Sequence, residues 1–147
     1  MDFDCPMRAA QLRAAVKAAA SRLRALDAPN QEDRPPGKWS ARQIVGHLVD
    51  SAINNYARLI LGQLQDDAII LGYAQESWVR LGRYQDAEWN ELVSLWELLN
   101  LQLARVIEAI PGDAWMRTLP GASITLGGLV DDYLRHLTHH LGQILAD

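Results

Sequence analysis

Apolar residues recur every three or four positions along four stretches of this chain, a spacing typical of amphipathic helices. The first stretch covers residues 6–26, and Pro6 suits the first turn of a helix because its missing N–H would have no partner there. Residues 27–38 follow with proline, glycine and asparagine, a composition that predicts a loop. The first helix is therefore expected to end at about residue 26.

A capping box marks the start of a second predicted helix. Ser40 and Gln43 stand in an S-x-x-Q pattern, in which the Ser40 hydroxyl caps the helix and the glutamine side chain reaches back to the cap. The helical pattern fades over residues 62–67. Its predicted apolar face consists of Ile44, Leu48, Ala52, Tyr56 and Leu59.

Residues 67–85 have no sustained period, and we predict an irregular crossover there. Residues 69–73 suit a short extended piece, and residues 76–84 (ESWVRLGRY) suit either a short helix or a loop. A connection of this length would let the chain cross the molecule, which allows a topology other than simple up-down-up-down.

A third long helix is predicted over residues 86–110. Asp86 is a candidate cap, and Pro111 with Gly112 ends the pattern. The residues at helical spacing are Trp89, Leu92, Val93, Trp96, Leu99, Leu103, Val106 and Ile110.

A fourth helix is predicted from Leu126 nearly to the last residue, after a loop that contains Pro120 and Gly121. Thr125 is its expected N-cap, since threonine accepts a hydrogen bond from the first turn. The predicted inward face consists of Leu129, Val130, Tyr133, Leu137, Leu141 and Ile144.

Four long amphipathic helices in 147 residues predict an all-α fold, a four-helix bundle with a crossover connection. The length suits a single domain over residues 1–147. With 49% apolar and 22% charged residues, the chain has enough apolar side chains to fill such a core.

Charge and cysteine content narrow the functional classes. The net charge is −4 and the basic residues are scattered among acids, which argues against a nucleic-acid partner. The apolar runs are shorter than a membrane span, so we expect no membrane partner. A single cysteine, Cys5, and a start without the apolar stretch of a signal peptide predict a cytoplasmic location.

Histidine is concentrated near the C-terminus, where three of the four histidines lie in RHLTHHLGQI. His136 and His140 are four residues apart and so share one helix face, the spacing with which two imidazoles can grip one metal ion. His139 points about 100° away from His140 and is expected to face solvent or an interface, although it could replace one of the pair.

A third ligand would have to come from another helix. His47 lies near the apolar face of the second helix, and Gly46 beside it would let a neighbouring helix approach. Three imidazoles leave positions on a metal ion open for water or substrate, as in a catalytic site. From spacing alone, packing roles for these histidines remain an alternative.

Each polar residue near the histidines has two interpretations. Asp50 and Asp132 could orient the imidazoles as hydrogen-bond acceptors, or could simply be solvated or capping residues. Gln143 could bond near the site or lie at a solvated helix end.

Two segments, KWSARQIVGHLVDSAINNYARLI and DDYLRHLTHHLGQI, resemble the DinB-like (YfiT-like) family of metal-binding four-helix bundles. The first matches the family pattern W-S-x-x-x-I-x-G-H-L-x-D, and the second matches H-x-x-H-H-x-x-Q-I. The resemblance covers about residues 38–147. It implies His47, His136 and His140 as ligands of a divalent ion, with zinc or nickel expected, and it places His139 at a non-ligating position.

The resemblance also implies function and assembly. Members of the family are frequently homodimers, and several are transferases or isomerases that use a low-molecular-weight thiol such as bacillithiol or mycothiol. We therefore expect a metal-dependent thiol S-transferase acting on an electrophilic small molecule. An anionic cosubstrate could meet one of four arginines, each of which could equally be a surface residue: Arg58, Arg80, Arg83 and Arg135.

Two other functions stay open. A metal-dependent hydrolase would need a carboxylate as general base, and Asp50 is the candidate near His47. A non-enzymatic stress or interaction protein would use the metal to staple helices two and four. The sequence identifies no catalytic residue beyond the metal ligands, and Cys5 is not expected to be a nucleophile.

Overall fold

The computed structural model describes residues 4–26, 37–64, 72–119 and 123–145. Four long helices form the body of the molecule: α1 (Cys5–Arg24), α2 (Ala41–Leu64), α4 (Trp89–Glu108) and α6 (Leu126–Leu145). Shorter elements lie between them: α3 (Gln75–Gly82), a 3-10 turn (Tyr84–Asp86), α5 (Gly112–Trp115), and the strands β1 (Thr118–Leu119) and β2 (Ile124–Thr125). The predicted all-α four-helix bundle is confirmed.

The long helices pack in an order that differs from the order of the chain. Helix α4 packs against both α1 and α2, and α6 packs against the same two helices. The consecutive helices α1 and α2 therefore lie diagonally across the bundle, as do α4 and α6. The prediction of a crossover is confirmed, but its place is different. The chain crosses the bundle between α1 and α2 and again between α4 and α6, whereas α2 and α4, where the crossing was predicted, are neighbours.

The caps predicted for the second and fourth long helices are present as hydrogen bonds. The backbone N–H of Gln43 donates to Ser40 Oγ over 3.2 Å, and the N–H of Ser40 donates to Gln43 Oε1 over 2.9 Å. At the start of α6, the N–H of Gly128 donates to Thr125 Oγ1 over 2.9 Å. These bonds satisfy donors of the first turn and fix where α2 and α6 begin.

The predicted start of the third long helix was wrong. Helix α4 begins at Trp89, and Glu88 caps it by accepting the backbone N–H groups of Asn90 and Glu91. Asp86 instead ends the 3-10 turn and pairs with Arg83 over 2.9 Å. The extended backbone of Ala87 separates the 3-10 turn from α4, and a pattern of apolar spacing cannot reveal that break.

The connection between α2 and α4 is more regular than predicted. Residues 75–82 form the two-turn helix α3, which confirms the short-helix alternative for this segment. It ends at Arg83 in the left-handed conformation, with φ 57°, and the 3-10 turn follows. Eight residues give too few repeats for a period to stand out. The extended piece predicted at residues 69–73 lies largely outside the described residues.

The connection between α4 and α6 also contains short regular elements. The strands β1 and β2 pair antiparallel, with Thr118 opposite Thr125 and Leu119 opposite Ile124. Pro120 and Gly121, predicted in this loop, lie outside the described residues. A hairpin of two residues per strand leaves no alternating pattern to detect.

Burial follows the predicted helix faces with one clear exception. The core contains large side chains from all four helices, among them Leu12, Leu48, Trp96, Leu103 and Leu137. Tyr56, predicted to face inward, is 38% exposed. Across the described ranges, none of the helices combines the length and apolar character needed to cross a membrane.

A buried hydrogen bond between α4 and α6 provides a test of the packing. Asn100 is fully buried and Tyr133 is 5% exposed, and the tyrosine hydroxyl donates to Asn100 Oδ1. Tyr133→Phe would leave that amide oxygen without its donor, so we expect the free energy of unfolding to fall by about 1–3 kcal/mol. Urea denaturation measures it. Tyr56→Phe, on the exposed surface of α2, should change stability by less than about 0.5 kcal/mol, and equal effects of the two changes would contradict the assignment.

Candidate metal centre

Three of the four histidines meet between α2 and α6. His47 lies in the second turn of α2, and His136 and His140 lie one turn apart on α6. Each offers a ring nitrogen within 4.8 Å of those of the other two. The ring centroids are 4.5 to 5.0 Å apart. The structure thus brings together the three residues proposed from the sequence, and their role as metal ligands stays a prediction.

The donor set fits a small divalent ion. His47 Nε2 and His136 Nε2 are 3.1 Å apart. Zinc bound by imidazole nitrogens at about 2.0–2.1 Å in a tetrahedron would hold them about 3.3 Å from one another. The His47–His136 pair is therefore close to this spacing, and a nitrogen of His140 lies within 4.8 Å of both ligand atoms. A divalent ion of the zinc or nickel type matches nitrogen donors of this kind.

Gln143 orients the imidazole of His140. The amide oxygen Oε1 lies 2.9 Å from His140 Nδ1 and accepts its proton when Nδ1 carries one. That tautomer leaves the lone pair on Nε2, where it can bind a metal ion. Of the two sequence readings of Gln143, the structure favours the bond near the site.

Burial keeps two of the imidazoles neutral. The pKa of His47 is lowered to about 4, mainly by burial and to a smaller extent by the charges of His136 and His140. The pKa of His136 is lowered to about 4, again mainly by burial and to a smaller extent by the charges of His140 and His139. Because a histidine must be unprotonated to bind a metal ion, both rings are ready for one at neutral pH.

His139 stands apart from the cluster. Its side chain is exposed, and its ring centroid lies 5.1 Å from that of His140. It does not belong to the group of three nitrogens. Its exposure agrees with the prediction that His139 faces solvent or an interface, and the residue offers a matched control for experiments on its neighbour.

An aromatic wall beside the cluster was missed by the sequence analysis. The ring of Trp39 lies 4.7 Å from that of His47 and 6.4 Å from that of His140. Its indole N–H donates to Glu76 Oε2 on α3 over 3.2 Å. The sequence does give one indication of this contact: Trp39 directly precedes the capping residue Ser40 and so lies at the start of the helix that carries His47.

Gly46 allows a close approach, but not by a helix as predicted. A Cβ atom at this position would lie 2.0 Å from Cδ2 of Tyr84, so the tyrosine ring of the 3-10 turn packs directly on the α2 backbone. The Tyr84 hydroxyl donates to Asp50 Oδ1. Sequence reasoning gave Tyr84 no role because only the fold places it beside α2.

The two candidate carboxylates have partners away from the imidazoles. Asp50 is 2% exposed and receives the Tyr84 hydrogen bond, and burial raises its pKa. Asp50 Oδ2 and His47 Nδ1 are both buried and lack a hydrogen-bond partner among the described residues. Asp132 is exposed and pairs with Arg135. Among the described residues, neither carboxylate is hydrogen-bonded to a histidine.

Two cavities open at different members of the cluster. The larger, of about 520 Å³, is lined by His140 with Trp39, Ile44, Glu76 and Gln143 among others. The smaller, of about 190 Å³, is lined by His136 with Ser51, Asn55, Arg58, Tyr73 and Tyr133 among others. Asp50 lines neither of them.

The four arginines considered as anion contacts have different surroundings. Arg58 is half-buried in the smaller cavity. Arg80 and Arg83 are exposed along a third cavity, beside α3, and Arg135 is exposed and paired with Asp132. Of the four, Arg58 alone lines a cavity that also contains a histidine of the cluster.

Cys5 is part of the core and not of the site. It begins α1, is 4% exposed, and donates from its thiol to the carbonyl oxygen of Ile110. Burial raises its pKa, which disfavours the thiolate. The expectation that Cys5 is not a nucleophile agrees with this position.

The lowered pKa values predict that the chelator-treated protein loses stability in mild acid. Below pH 6.5 an unfolded histidine binds a proton, whereas His47 and His136 in the folded protein stay neutral down to about pH 4. The unfolded state therefore gains protons first, and the free energy of unfolding should fall by a few kcal/mol, to order of magnitude, between about pH 6.5 and pH 4.

Urea denaturation at several pH values measures this slope, and two variants assign it. His136→Gln should make the slope shallower, and His139→Gln, which removes only the smallest of the three causes of the lowered His136 pKa, should change the slope much less. The comparison with variants is needed because the raised pKa of Asp50 acts in the opposite direction. Identical slopes in all three proteins would contradict the assignment.

Comparison with known protein families gives a match over most of the chain. The model of the DinB superfamily matches residues 11–144. Two curated relatives carry names that assign them provisionally to the metal-dependent hydrolases. One, from Oceanobacillus iheyensis, is 30% identical over 113 residues, which are 75% of this chain and 65% of that protein. The other, YfiT of Bacillus subtilis, is 27% identical over 123 residues, 81% of this chain and 67% of that protein.

The solved structure of Bacillus subtilis YfiT has the same fold. It superposes with a TM-score of 0.82 at 24% sequence identity, over 98% of this chain and 85% of that one. That structure is described as having an unusual four-helix bundle topology. At this identity the likeness supports the fold.

Proposed function

Because the chain belongs to the DinB superfamily and gathers three histidines into one cluster, we propose that it is a metal-dependent thiol S-transferase acting on an electrophilic small molecule. His47, His136 and His140 would hold the ion. The observation that carries the choice of reaction is the pair of cavities, one lined by His140 and the other by His136. Two approaches to one centre suit a reaction that holds two molecules side by side and joins them.

The chemistry follows from the donor set. A divalent ion with three imidazole ligands has open positions and, when bound, lowers the pKa of a thiol that meets it there. In the overall reaction the thiol sulfur forms a bond to an electrophilic carbon. The leaving group departs with the electron pair of its own bond, and the thiol proton is released.

The chain's own residues keep the three imidazoles in place. Gln143 fixes the tautomer of His140, and the ring of Trp39 limits the movement of His47. Burial holds His47 and His136 in their neutral, ligand-competent form. These features match a preorganised site, in which the ligands are held before the ion arrives.

Hydrolysis is the main competing function, because the names of the relatives point to it. The candidate base from the sequence, Asp50, is turned toward Tyr84 and lines neither cavity beside the cluster. A thiol is far more acidic than water, so transfer depends less than hydrolysis on a general base, and the arrangement of Asp50 favours transfer. A homodimer, as the resemblance implies, is a further proposal that sedimentation equilibrium tests.

Three assays on the zinc-loaded protein separate the functions. With 2-mercaptoethanol and 1-chloro-2,4-dinitrobenzene, a transferase releases chloride and consumes thiol, and it stops when a chelator removes the metal. With 4-nitrophenyl acetate alone, a hydrolase turns over without thiol. A scaffold loses thermal stability on chelation but turns over neither substrate. Turnover of the ester without thiol, together with none in the thiol assay, would overturn the proposal.

A further inference from the structure

Two buried polar atoms on α2 have no hydrogen-bond partner among the described residues: Nδ1 of His47 and Oδ2 of Asp50. His47 is fully buried and Asp50 is 2% exposed, so neither group is hydrated from the protein surface. An unpaired polar group in the interior destabilises a fold, and most buried polar groups in proteins are therefore paired. An imidazole N–H is a donor and a carboxylate oxygen is an acceptor, so each atom is a suitable partner for the other.

The positions of the two residues on α2 place their side chains next to each other. Residues three apart on a helix are separated by about 60° around the axis and are neighbours on one face. A helical side chain also leans toward the N-terminus, which brings the carboxyl group of Asp50 over the turn that contains Gly46 and His47. The contacts of Tyr84 agree with this placement, because its ring packs on Gly46 while its hydroxyl donates to Asp50 Oδ1.

His140 shows the same arrangement with its hydrogen bond formed. Gln143 follows His140 by three residues on α6, as Asp50 follows His47 by three residues on α2. The amide oxygen of Gln143 lies 2.9 Å from His140 Nδ1. In metal sites, the ring nitrogen that does not bind the ion usually donates to an acceptor of this kind. The spacing that orients one candidate ligand is thus repeated at a second one.

The contact between His47 and His136 identifies which nitrogen of His47 needs an acceptor. His47 Nε2 lies 3.1 Å from His136 Nε2 and therefore belongs to the edge of the ring that faces the cluster. When Nε2 binds an ion, Nδ1 is the nitrogen that carries the proton. The carboxyl group of Asp50 has one oxygen engaged by Tyr84, and Oδ2 is the oxygen that remains to accept this proton.

We propose that Asp50 is a positioning residue of the metal site: its Oδ2 accepts the Nδ1 proton of His47, directly or through one buried water, and Tyr84 holds the carboxyl group in place. This assignment rests on the metal site of the proposed function and gives Asp50 a role other than that of a general base. Asp50 acts through His47 and touches no substrate, which agrees with its position outside both cavities beside the cluster.

Nuclear magnetic resonance of the protein with isotopically labelled histidine tests the hydrogen bond directly. In the chelator-treated wild-type protein near neutral pH, we expect the ring proton of His47 on Nδ1, where Oδ2 can accept it. A ring proton on Nε2 would overturn the proposal, because Nδ1 would then be an acceptor and could not donate to Oδ2. This measurement requires no variant and so does not depend on how substitutions fold.

Variants then connect the hydrogen bond to metal binding, with the dissociation constant for zinc as the readout. Asp50→Ala removes the acceptor and should weaken zinc binding by about 10- to 100-fold, the usual effect of losing such a partner. Asp50→Asn retains a carbonyl oxygen and should give an intermediate loss. The control is Asp113→Ala, which removes an exposed carboxylate on α5 and should leave the affinity unchanged.

Tyr84→Phe separates the positioning role from a general effect on packing. It removes the donor to Asp50 Oδ1 but keeps Oδ2 as an acceptor. We therefore expect this variant to lose stability, while its zinc affinity changes by less than about threefold. The ring proton of His47 should stay on Nδ1 in Tyr84→Phe, whereas in Asp50→Ala it should no longer be confined to that nitrogen.

The outcomes separate this assignment from the proposed function. Equal zinc affinities in the wild-type protein and Asp50→Ala, or equal losses in Tyr84→Phe and Asp50→Ala, would overturn the positioning role whether or not the transferase assay shows turnover. A zinc affinity that depends on Asp50, alongside failure of the transferase assay with every thiol, would support the positioning role and overturn the choice of reaction. A ring proton held on Nδ1 by Asp50 in a protein that binds no zinc would support the hydrogen bond and overturn the metal site.

Discussion

Zinc added to the chelator-treated protein should raise its free energy of unfolding, and His140→Ala should remove most of that gain. A ligand that binds only the folded state stabilises it by an amount set by its concentration relative to Kd, about 4 kcal/mol at a thousandfold excess over Kd. The three nitrogens within 4.8 Å exist only when α2 packs on α6. With one of them removed, two ligands remain, and the affinity should fall steeply.

The measurement is urea denaturation with and without zinc, and the quantity compared is the zinc-induced difference within each protein. Because each protein is compared with itself, the effect of the substitution on the stability of the metal-free protein drops out. His139→Ala is the matched control, since it removes an exposed imidazole next in sequence that lies outside the cluster. Equal loss in both variants would show that zinc acts at the surface and would contradict the site.

Gly46→Ala should destabilise the protein by about 3 kcal/mol or more, although alanine is the better helix former. The new methyl group would lie 2.0 Å from Tyr84 Cδ2 and 2.7 Å from Tyr84 Cβ. Because the tyrosine Cβ is tied to the backbone, the 3-10 turn must move and not only the end of a side chain. The Tyr84 bond to Asp50 would then be lost, leaving a buried carboxyl group without its donor.

Gly142→Ala is the control for this substitution. Gly142 is an exposed glycine within α6, and a Cβ atom there meets nothing within 4 Å. The same chemical change should stabilise the protein by up to about 1 kcal/mol through helix propensity alone. Urea midpoints of the two variants should therefore move in opposite directions, and a stable Gly46→Ala protein would show that Tyr84 does not pack as described.

Local signals explain why much of the fold could be predicted from the sequence. The Ser40–Gln43 capping box and the Thr125 cap are each made by residues three positions apart, and the structure contains both sets of hydrogen bonds. The pairing of His136 with His140 follows from helix geometry in the same way. Features of this kind depend only on neighbours in the chain.

Features that depend on distant packing could not be predicted. Tyr84 reaches Gly46 and Asp50 only because the 3-10 turn folds back onto α2. The position of Arg58 in a groove beside His136 requires the α2–α6 contact, which no single helix pattern contains. The contact of Trp39 with His140 also requires α6 to pack beside the start of α2. The candidate ligands were thus predictable, whereas their surroundings were not.

The central claim is that His47, His136 and His140 form one metal site. The most direct test is elemental analysis of the purified, tag-free protein beside the His47→Ala, His136→Ala, His140→Ala triple variant, with His139→Ala as the control. We predict close to one equivalent of zinc or nickel per chain in the wild-type protein and in His139→Ala, and almost none in the triple variant. A wild-type protein that holds no metal even after incubation with zinc and with nickel would contradict the account and leave the three histidines as packing residues.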